Sequence, residues 1–372
     1  MLYLVFITGG IYITVIAFFL YGWEKLRPFE PTVNKYRTTI SVIIPMRNEE
    51  TTITTLLEAL FTQDYPTDLY EIIVINDHSS DQSLEKALQY KKSNCRILSL
   101  PNSISGKKAA IRYGIEAANN QLIVTTDADC YMGNNWLRCL AGYFEKNEPV
   151  MMLAPVLAAN PGKHTSLFNK MLALELMSLL VSTAGATAIG HPIMCNGANL
   201  AFVRSVYPEI SHLFNNAKVQ SGDDIFALLT LKKKYPGRIH FIKSKEATVF
   251  ASMPLTLNSF IGQRKRWTAK AKFYTDPAII ATALVVLAIN LLLLTDLLWG
   301  LLKGNFSYFL ILFFLKSAID FPVLQRVTAF FDKQKLMQWF PVVQSFYFLY
   351  VCFTVFAAFI SPIKWKGRLI QQ

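Results

Sequence analysis

The chain has 372 residues, 52% hydrophobic and 17% charged, with a net charge of +12 and a mean hydropathy of +0.31. That length leaves room for about two folded units at roughly 150 residues each, and the apolar balance excludes a wholly soluble enzyme in favour of one with membrane segments. The positive charge suits an anionic bilayer face or phosphorylated substrates; with Lys and Arg scattered and no recognised binding motif, it speaks against nucleic acid.

Residues 1–23 carry no charge and run into Lys25, Arg27, Lys35 and Arg37. No clear cleavage site follows, so the stretch predicts a retained transmembrane helix with its N-terminus outside and its basic flank in the cytoplasm. From Thr38 short apolar runs alternate with amphipathic ones, the pattern of βα units around a mostly parallel sheet. Ile40–Pro45, Glu71–Ile75, Arg96–Leu100 and Leu122–Thr126 are the predicted strands. The helix after the first carries Ile53, Leu56, Leu57, Leu60 and Phe61 on one face, and the helix before the fourth carries Ile111 and Ile115. Polar loops at Arg47-Asn48-Glu49, at Asp77 and at Asp127-Ala128-Asp129 each follow a strand end, where the ligand crevice of an open α/β sheet lies. Two carboxylates at such an end suit a hard divalent ion, Mg²⁺ or Mn²⁺, completed by substrate phosphates, or else a solvated acidic loop.

Further on, Val150–Leu157 reads as another strand and Ser166–Val181 as an amphipathic or interfacial helix. Gly222-Asp223-Asp224 opens a helix with Ile225, Leu228 and Leu229, where the two acids also suit the helix dipole. Residues 253–277 interleave Arg264, Lys265, Arg266, Lys270 and Lys272 with Phe260, Trp267 and Phe273, the composition of a basic helix at headgroup level. Residues 278–363 then form a membrane region of two or three helices: Ala278–Leu302 with Asp296 inside it, a middle run 305–325 interrupted by Lys316, Asp320 and Pro322, and the uncharged Leu336–Ile363. Four crossings in all place Lys364, Lys366 and Arg368 outside, against the positive-inside tendency; a re-entrant 305–325 removes that conflict. The domain boundaries are therefore 1–23, 38–252, 253–277 and 278–363. Cys95, Cys130, Cys139, Cys195 and Cys352 lack paired spacing and suit reduced, buried thiols on a cytosolic domain. His78, His164, His191, His212 and His240 show no metal-ligand spacing.

Ser41-Val42-Ile43-Ile44-Pro45 with Asn48-Glu49, Val74-Ile75-Asn76-Asp77-His78-Ser79-Ser80-Asp81, Gly106-Lys107-Lys108, Asp127-Ala128-Asp129, Gly222-Asp223-Asp224 and Gln263-Arg264-Lys265-Arg266-Trp267 occur in one order. Together they resemble the family 2 glycosyltransferases of GT-A fold, and the last matches the QxxRW pattern of membrane-embedded members such as cellulose, chitin and hyaluronan synthases and ceramide glucosyltransferases. The resemblance covers about Thr38 to Trp267. It implies an integral membrane, metal-dependent, inverting enzyme that moves a sugar from a nucleotide diphosphate donor to a lipid or glycan acceptor at the cytosolic face.

On that resemblance Asp77 holds the uracil, unless it caps the helix after it. Lys107 or Lys108 meets the diphosphate at a helix start. Asp127 and Asp129 hold Mg²⁺ or Mn²⁺, Asp129 more directly. Asn196, beside Gly197-Ala198-Asn199, lines the acceptor side. Asp224 is the base and Asp223 orients it or the acceptor. Gln263 and Arg266 meet the diphosphate, and Trp267 stacks on the acceptor. A processive polysaccharide synthase subunit and, from another class, a non-catalytic membrane scaffold that binds nucleotide sugar are the alternatives, and partner subunits are undetermined.

Overall fold

The computed structural model describes residues 2–31, 36–90, 92–159, 166–215, 222–254, 256–360, 363–365 and 368–370. Lys35, His164 and Lys366 lie outside them. The chain divides into two compact units: Leu26–Ala159 with Met194–Met253, and Met1–Lys25 with Asn160–Ile193 and Pro254–Gln372. The expected catalytic span 38–252 is thus interrupted by the helix Leu167–Ala188, which groups with the apolar helices of the other unit.

The chain opens on α1 (Leu2–Lys25) and then enters the first unit, whose seven-stranded sheet is built on β1 (Ile40–Met46), β2 (Tyr70–Asn76), β3 (Cys95–Ser99) and β4 (Leu122–Thr125). These four run parallel in the order β3-β2-β1-β4. Ile40, Val42, Ile43 and Ile44 are all fully buried, the continuous apolar run that a strand covered on both faces needs. The sheet continues from β4 through β8 (Leu200–Val203), antiparallel to both its neighbours, to β6 (Met151–Leu153) and β9 (Ile239–Phe241). A three-stranded sheet of β5 (Cys130–Met132), β10 (Val249–Ala251) and β7 (Val156–Ala158) stands beside it.

The single strand expected over Val150–Leu157 is therefore two, β6 and β7, in different sheets. Pro155 sits between them and has no N–H for a ladder, so the chain changes sheets there. Helices α2 (Ile53–Phe61), α3 (Ser83–Leu88), α4 (Lys107–Ala117), α5 (Trp136–Asn147), α7 (Tyr207–Asn215) and α8 (Asp223–Lys234) complete the unit. α2 buries Ile53, Leu56, Leu57 and Leu60 as its periodicity requires. α4 lies tight on β1 and β2: a Cβ at Gly114 would stand 2.6 Å from the Ile43 and Ile75 side chains, so only glycine allows that approach.

The second unit contains α1, α6 (Leu167–Ala188), α9 (Leu257–Ala269), α10 (Pro277–Lys303), α11 (Ser307–Phe330) and α12 (Phe340–Ile360), with a short hairpin of β11 (Ile363–Trp365) and β12 (Arg368–Ile370). Among the described residues five helical stretches are long and apolar enough to cross a membrane: Leu2–Lys25, Leu167–Ala188, Pro277–Lys303, Ser307–Phe330 and Gln334–Ala358. α6 runs seven residues past the expected Val181, and in that stretch Ser182, Thr183 and Thr187 return their hydroxyls to carbonyls one turn back at 2.7–3.0 Å, which pairs their polar groups within the helix. Gly22 of α1 faces Gly185 of α6 so closely that a Cβ on either would meet backbone oxygen at 2.1 or 2.0 Å.

α11 stays helical through Lys316, Asp320 and Pro322. The Asp320 carboxylate takes Lys316 Nζ at 2.5 Å, Tyr12 Oη at 2.7 Å and Gln344 Nε2 at 3.0 Å, so the polar groups satisfy one another inside the bundle.

Candidate active site

Four strand and helix ends of the first unit bring the candidate residues together. At the end of β2, Asp77 is 1% exposed, and its Oδ2 accepts from the Gly106 N–H at 3.0 Å. Gly106, at φ 104°, is the residue from which α4 starts. Arg47, at the end of β1, donates to the Asp77 and His78 carbonyls at 2.6 and 3.1 Å and stands 4.0 Å from Asp77 Oδ1. Asp77 therefore does not cap α3. Asp81 serves there, accepting from Ser83 N at 3.0 Å and from Glu50 N at 3.2 Å. Asp81 holds below its usual range despite burial, because Ser83 and the Glu50 amide stabilise its charge.

Because Gly106 is tied to Asp77, α4 begins at a fixed place and delivers Lys107 to the end of β4. Lys107 Nζ lies 2.5 Å from Asp127 Oδ1, with the two side chains 36% and 30% exposed. Burial pushes the Lys107 pKa down, but Asp127 first, then Asp223 and Asp224, raise it overall, so the ammonium stays charged. Lys108, by contrast, is 8% exposed, and burial lowers its pKa against the pull of Asp223. Of the two lysines, Lys107 is the one paired with Asp127.

Asp127 and Asp129 flank the turn out of β4, closed by Cys130 N donating to the Asp127 carbonyl at 3.1 Å. The Asp129 carbonyl is held by Ser252 N at 3.2 Å and Ser252 Oγ at 2.9 Å, which anchors the turn to β10. Burial, with Asp127 and Asp129 alongside, pushes the Cys130 thiol well up, which removes it as a nucleophile. Among the described residues no group of three or more His, Cys, Asp and Glu is placed to hold a metal by itself. Two accessible carboxylates, one already facing a cation, fit a hard divalent ion that takes its remaining oxygens from a diphosphate.

On the far side of β4, Thr125 Oγ1 donates to the Gly197 carbonyl at 2.7 Å and fixes the turn that contains Asn196. Asn196 turns its own Oδ1 to Ala198 N at 3.0 Å. Asp224, in the first turn of α8, accepts from Gly197 N at 3.2 Å through Oδ2 and from Ile225 N at 2.8 Å through Oδ1. Asn199 is a structural clamp: 2% exposed, it donates to the Pro155 and Ala247 carbonyls at 2.8 Å each and accepts from Trp136 Nε1 at 3.1 Å.

Asp77, Lys107, Asp127, Asp129, Asn196, Asp223 and Asp224 thus belong to one unit, with Lys107 in the field of Asp127, Asp223 and Asp224. Gln263, Arg266 and Trp267 lie on α9, in the second unit. Burial lowers the Arg266 pKa, and Trp267 is 36% exposed. Two residues stood within the sequence motifs without a role of their own: Arg47 and Gly106. A cation ending one strand beside an acid ending its neighbour is the signal for Arg47; Gly106 shows itself only through its contact with Asp77.

The parallel β3-β2-β1-β4 half-sheet continued through an antiparallel strand, with carboxylates at the strand ends, defines the GT-A fold of glycosyltransferases. Residues 41–204, less than half of the 372-residue chain, match the family model Glycosyl transferase family 2. The chain is 27% identical over 178 residues to the poly(ribitol-phosphate) beta-N-acetylglucosaminyltransferase TarS of Staphylococcus aureus, covering 47% of this chain and 31% of that one. It is 40% identical over 93 residues to the undecaprenyl-phosphate 4-deoxy-4-formamido-L-arabinose transferase of Photorhabdus laumondii, covering 24% and 29%. The chain thus spans about a third or less of the length of either relative. Among solved structures, the mannosyltransferase PcManGT of Pyrobaculum calidifontis, in complex with GDP-Man and Mn²⁺, superposes with a TM-score of 0.53 at 15% identity, covering 92% of this chain and 99% of that one; it shares the fold.

Proposed function

We propose that the protein is a membrane-bound, inverting glycosyltransferase that moves a sugar from a nucleotide diphosphate donor to a lipid or glycan acceptor at the cytosolic face. The observation that carries this reading is the meeting of Lys107 with Asp127 at 2.5 Å in the field of Asp223 and Asp224. A half-buried lysine paired to a carboxylate can turn from it to a diphosphate. Asp127 and Asp129 would hold a divalent ion, Mg²⁺ or Mn²⁺, which supplies charge neutralisation at the leaving diphosphate. Lys107, at the start of α4, meets the same phosphates where free N–H groups already favour anions.

Asp224 accepts the proton of an acceptor hydroxyl whose oxygen bonds to the anomeric carbon. The carbon–oxygen bond to the diphosphate breaks, and the nucleoside diphosphate leaves with that electron pair. One displacement with one base inverts the carbon. Asp223 orients the acceptor, Asn196 holds the turn that faces Asp224, and Asp77, joined to the head of α4, carries the base of the donor. Gln263, Arg266 and Trp267 supply the remaining donor and acceptor contacts, as the QxxRW resemblance implies.

The chain connectivity supports four crossings. α6 leaves the catalytic unit after Ala159 and returns to it at Met194, so a full crossing would strand β7 and β8 of one unit on opposite sides of the bilayer. α6 therefore rests in the membrane without spanning it, and α1, α10, α11 and α12 cross. A lipid acceptor suits so small a bundle better than a polymer tunnel does, and one of the relatives is named for undecaprenyl phosphate.

Radiolabelled transfer by the protein in lipid nanodiscs, across a panel of UDP- and GDP-sugars with Mn²⁺ or Mg²⁺, tests the reading. The expected result is one active donor and activity lost by roughly 10²–10⁴-fold in Asp224→Asn. No transfer and no donor hydrolysis with any sugar would leave a nucleotide-sugar-binding scaffold.

A further inference from the structure

The second unit contains a charge cluster that the transfer chemistry above does not use. Glu175 of α6 and Arg264 of α9 are 8% and 5% exposed. Arg264 Nη2 donates to Glu175 Oε2 at 2.6 Å, and the Tyr350 hydroxyl of α12 donates to Oε1 at 2.6 Å, so three helices meet at one carboxylate. The guanidinium lies 4.1 Å from the Trp267 ring centroid and 5.0 Å from that of Phe260. Phe260 in turn meets Phe168 of α6 edge-on at 5.4 Å and Tyr350 at 5.3 Å. Nε and Nη1 of Arg264 have no hydrogen-bond partner; the aromatic faces receive the cation instead.

Arg264 stands between Gln263 and Arg266 and one turn before Trp267. Successive helical residues are about 100° apart, so seating Arg264 against Glu175 fixes the rotation of α9. It keeps Trp267, at i+3, on the Arg264 side with Gln263 beside it as its i, i+4 neighbour, and turns Arg266 to the far side of the helix. We propose that Glu175 is a positioning residue: acting through Arg264, it sets the orientation in which α9 offers Gln263, Arg266 and Trp267 to substrate. This rests on the reading of α9 as a substrate-binding element. A buried ion pair is a poor device for stability, since apolar side chains of similar volume hold a core as well; its directional bonds are what select one rotation of a helix. The aromatic ring whose face Arg264 covers is the same one assigned to the acceptor, so the pair and the binding surface share a side chain.

The test uses the full chain in nanodiscs with 5-fluorotryptophan, the Trp267 resonance being assigned with Trp267→Phe. Glu175→Gln is expected to shift that resonance and raise the KM for donor or acceptor about tenfold, with kcat changed far less. The double variant Glu175→Leu, Arg264→Met, which removes the charges and keeps the volume, is expected to unfold at the wild-type temperature and still show the displaced resonance and raised KM. A double variant with wild-type resonance and KM, or an unmoved resonance in Glu175→Gln, would overturn the proposal. Wild-type protein without transfer activity, but with the resonance shifted in both variants, would refute the enzymatic reading and leave the positioning of α9 established.

Discussion

Two sets of ion pairs, one from each unit, differ in how far water reaches them. In the first unit Lys107 and Asp127 are 36% and 30% exposed at the ends of structural elements, where water or a ligand can exchange with either. In the other unit Arg264–Glu175 and Lys316–Asp320 are sealed at 5%/9% and 2%/14%, each carboxylate taking a tyrosine hydroxyl besides its cation. The same N–H···O chemistry thus serves two ends. A pair open to water can exchange its partner for a ligand, whereas a sealed pair has no competitor and fixes which helix faces which.

Breaking a sealed pair should produce the largest loss. Lys316→Met leaves Asp320 buried with only Tyr12 and Gln344, at a cost of roughly 3–5 kcal/mol. Thermal unfolding in detergent should show it, and Lys316→Met combined with Asp320→Leu should recover most of the loss. Recovery failing in the double variant would mean that packing and not charge holds α11. Gly185→Ala attacks the same unit without touching charge. Its methyl would meet the Phe19 carbonyl at 2.0 Å, so α1 and α6 must separate, at about 1–3 kcal/mol, read by the same unfolding assay.

In the first unit Asp81 clamps the loops after β1 and β2, and Asp81→Asn should cost about 1 kcal/mol at pH 7. Its pKa in the fold is depressed below 3.8, so the stabilisation is complete above the unfolded value and disappears as pH falls through the folded one. Wild type and variant should therefore converge in unfolding temperature once the pH has fallen through the depressed pKa of the folded state. The smallest effect belongs to an exposed pair with no ligand to meet. Arg138 and Asp64 are 29% and 64% exposed at 2.7 Å, and Asp64→Asn should change stability by less than about 1 kcal/mol.

The same contrast explains what was legible in the sequence. β1 to β4 and the buried face of α2 were readable because β-branched runs and a 3.6-residue period report burial directly. Asp77 and Asp127 were readable because each follows such a run at once. That Lys107 would touch Asp127 was not, since α4 and the start of β4 lie between them and only the Gly106–Asp77 bond fixes the helix start. α6 was less legible still. Its Glu175 reads as a polar face in one dimension and proves to be buried against Arg264, 89 residues later. Lys316 and Asp320 made α11 look interrupted, although their i, i+4 spacing is what lets them pair within one apolar helix.

The most direct test of the exposed pair as a donor site is calorimetric binding of UDP and GDP with and without Mn²⁺, in wild type and in Asp129→Ala. Binding of one nucleotide that strengthens with Mn²⁺ in wild type and loses that dependence in Asp129→Ala is the predicted result. Binding that ignores Mn²⁺ in wild type, or that keeps its full metal dependence in Asp129→Ala, would contradict the account.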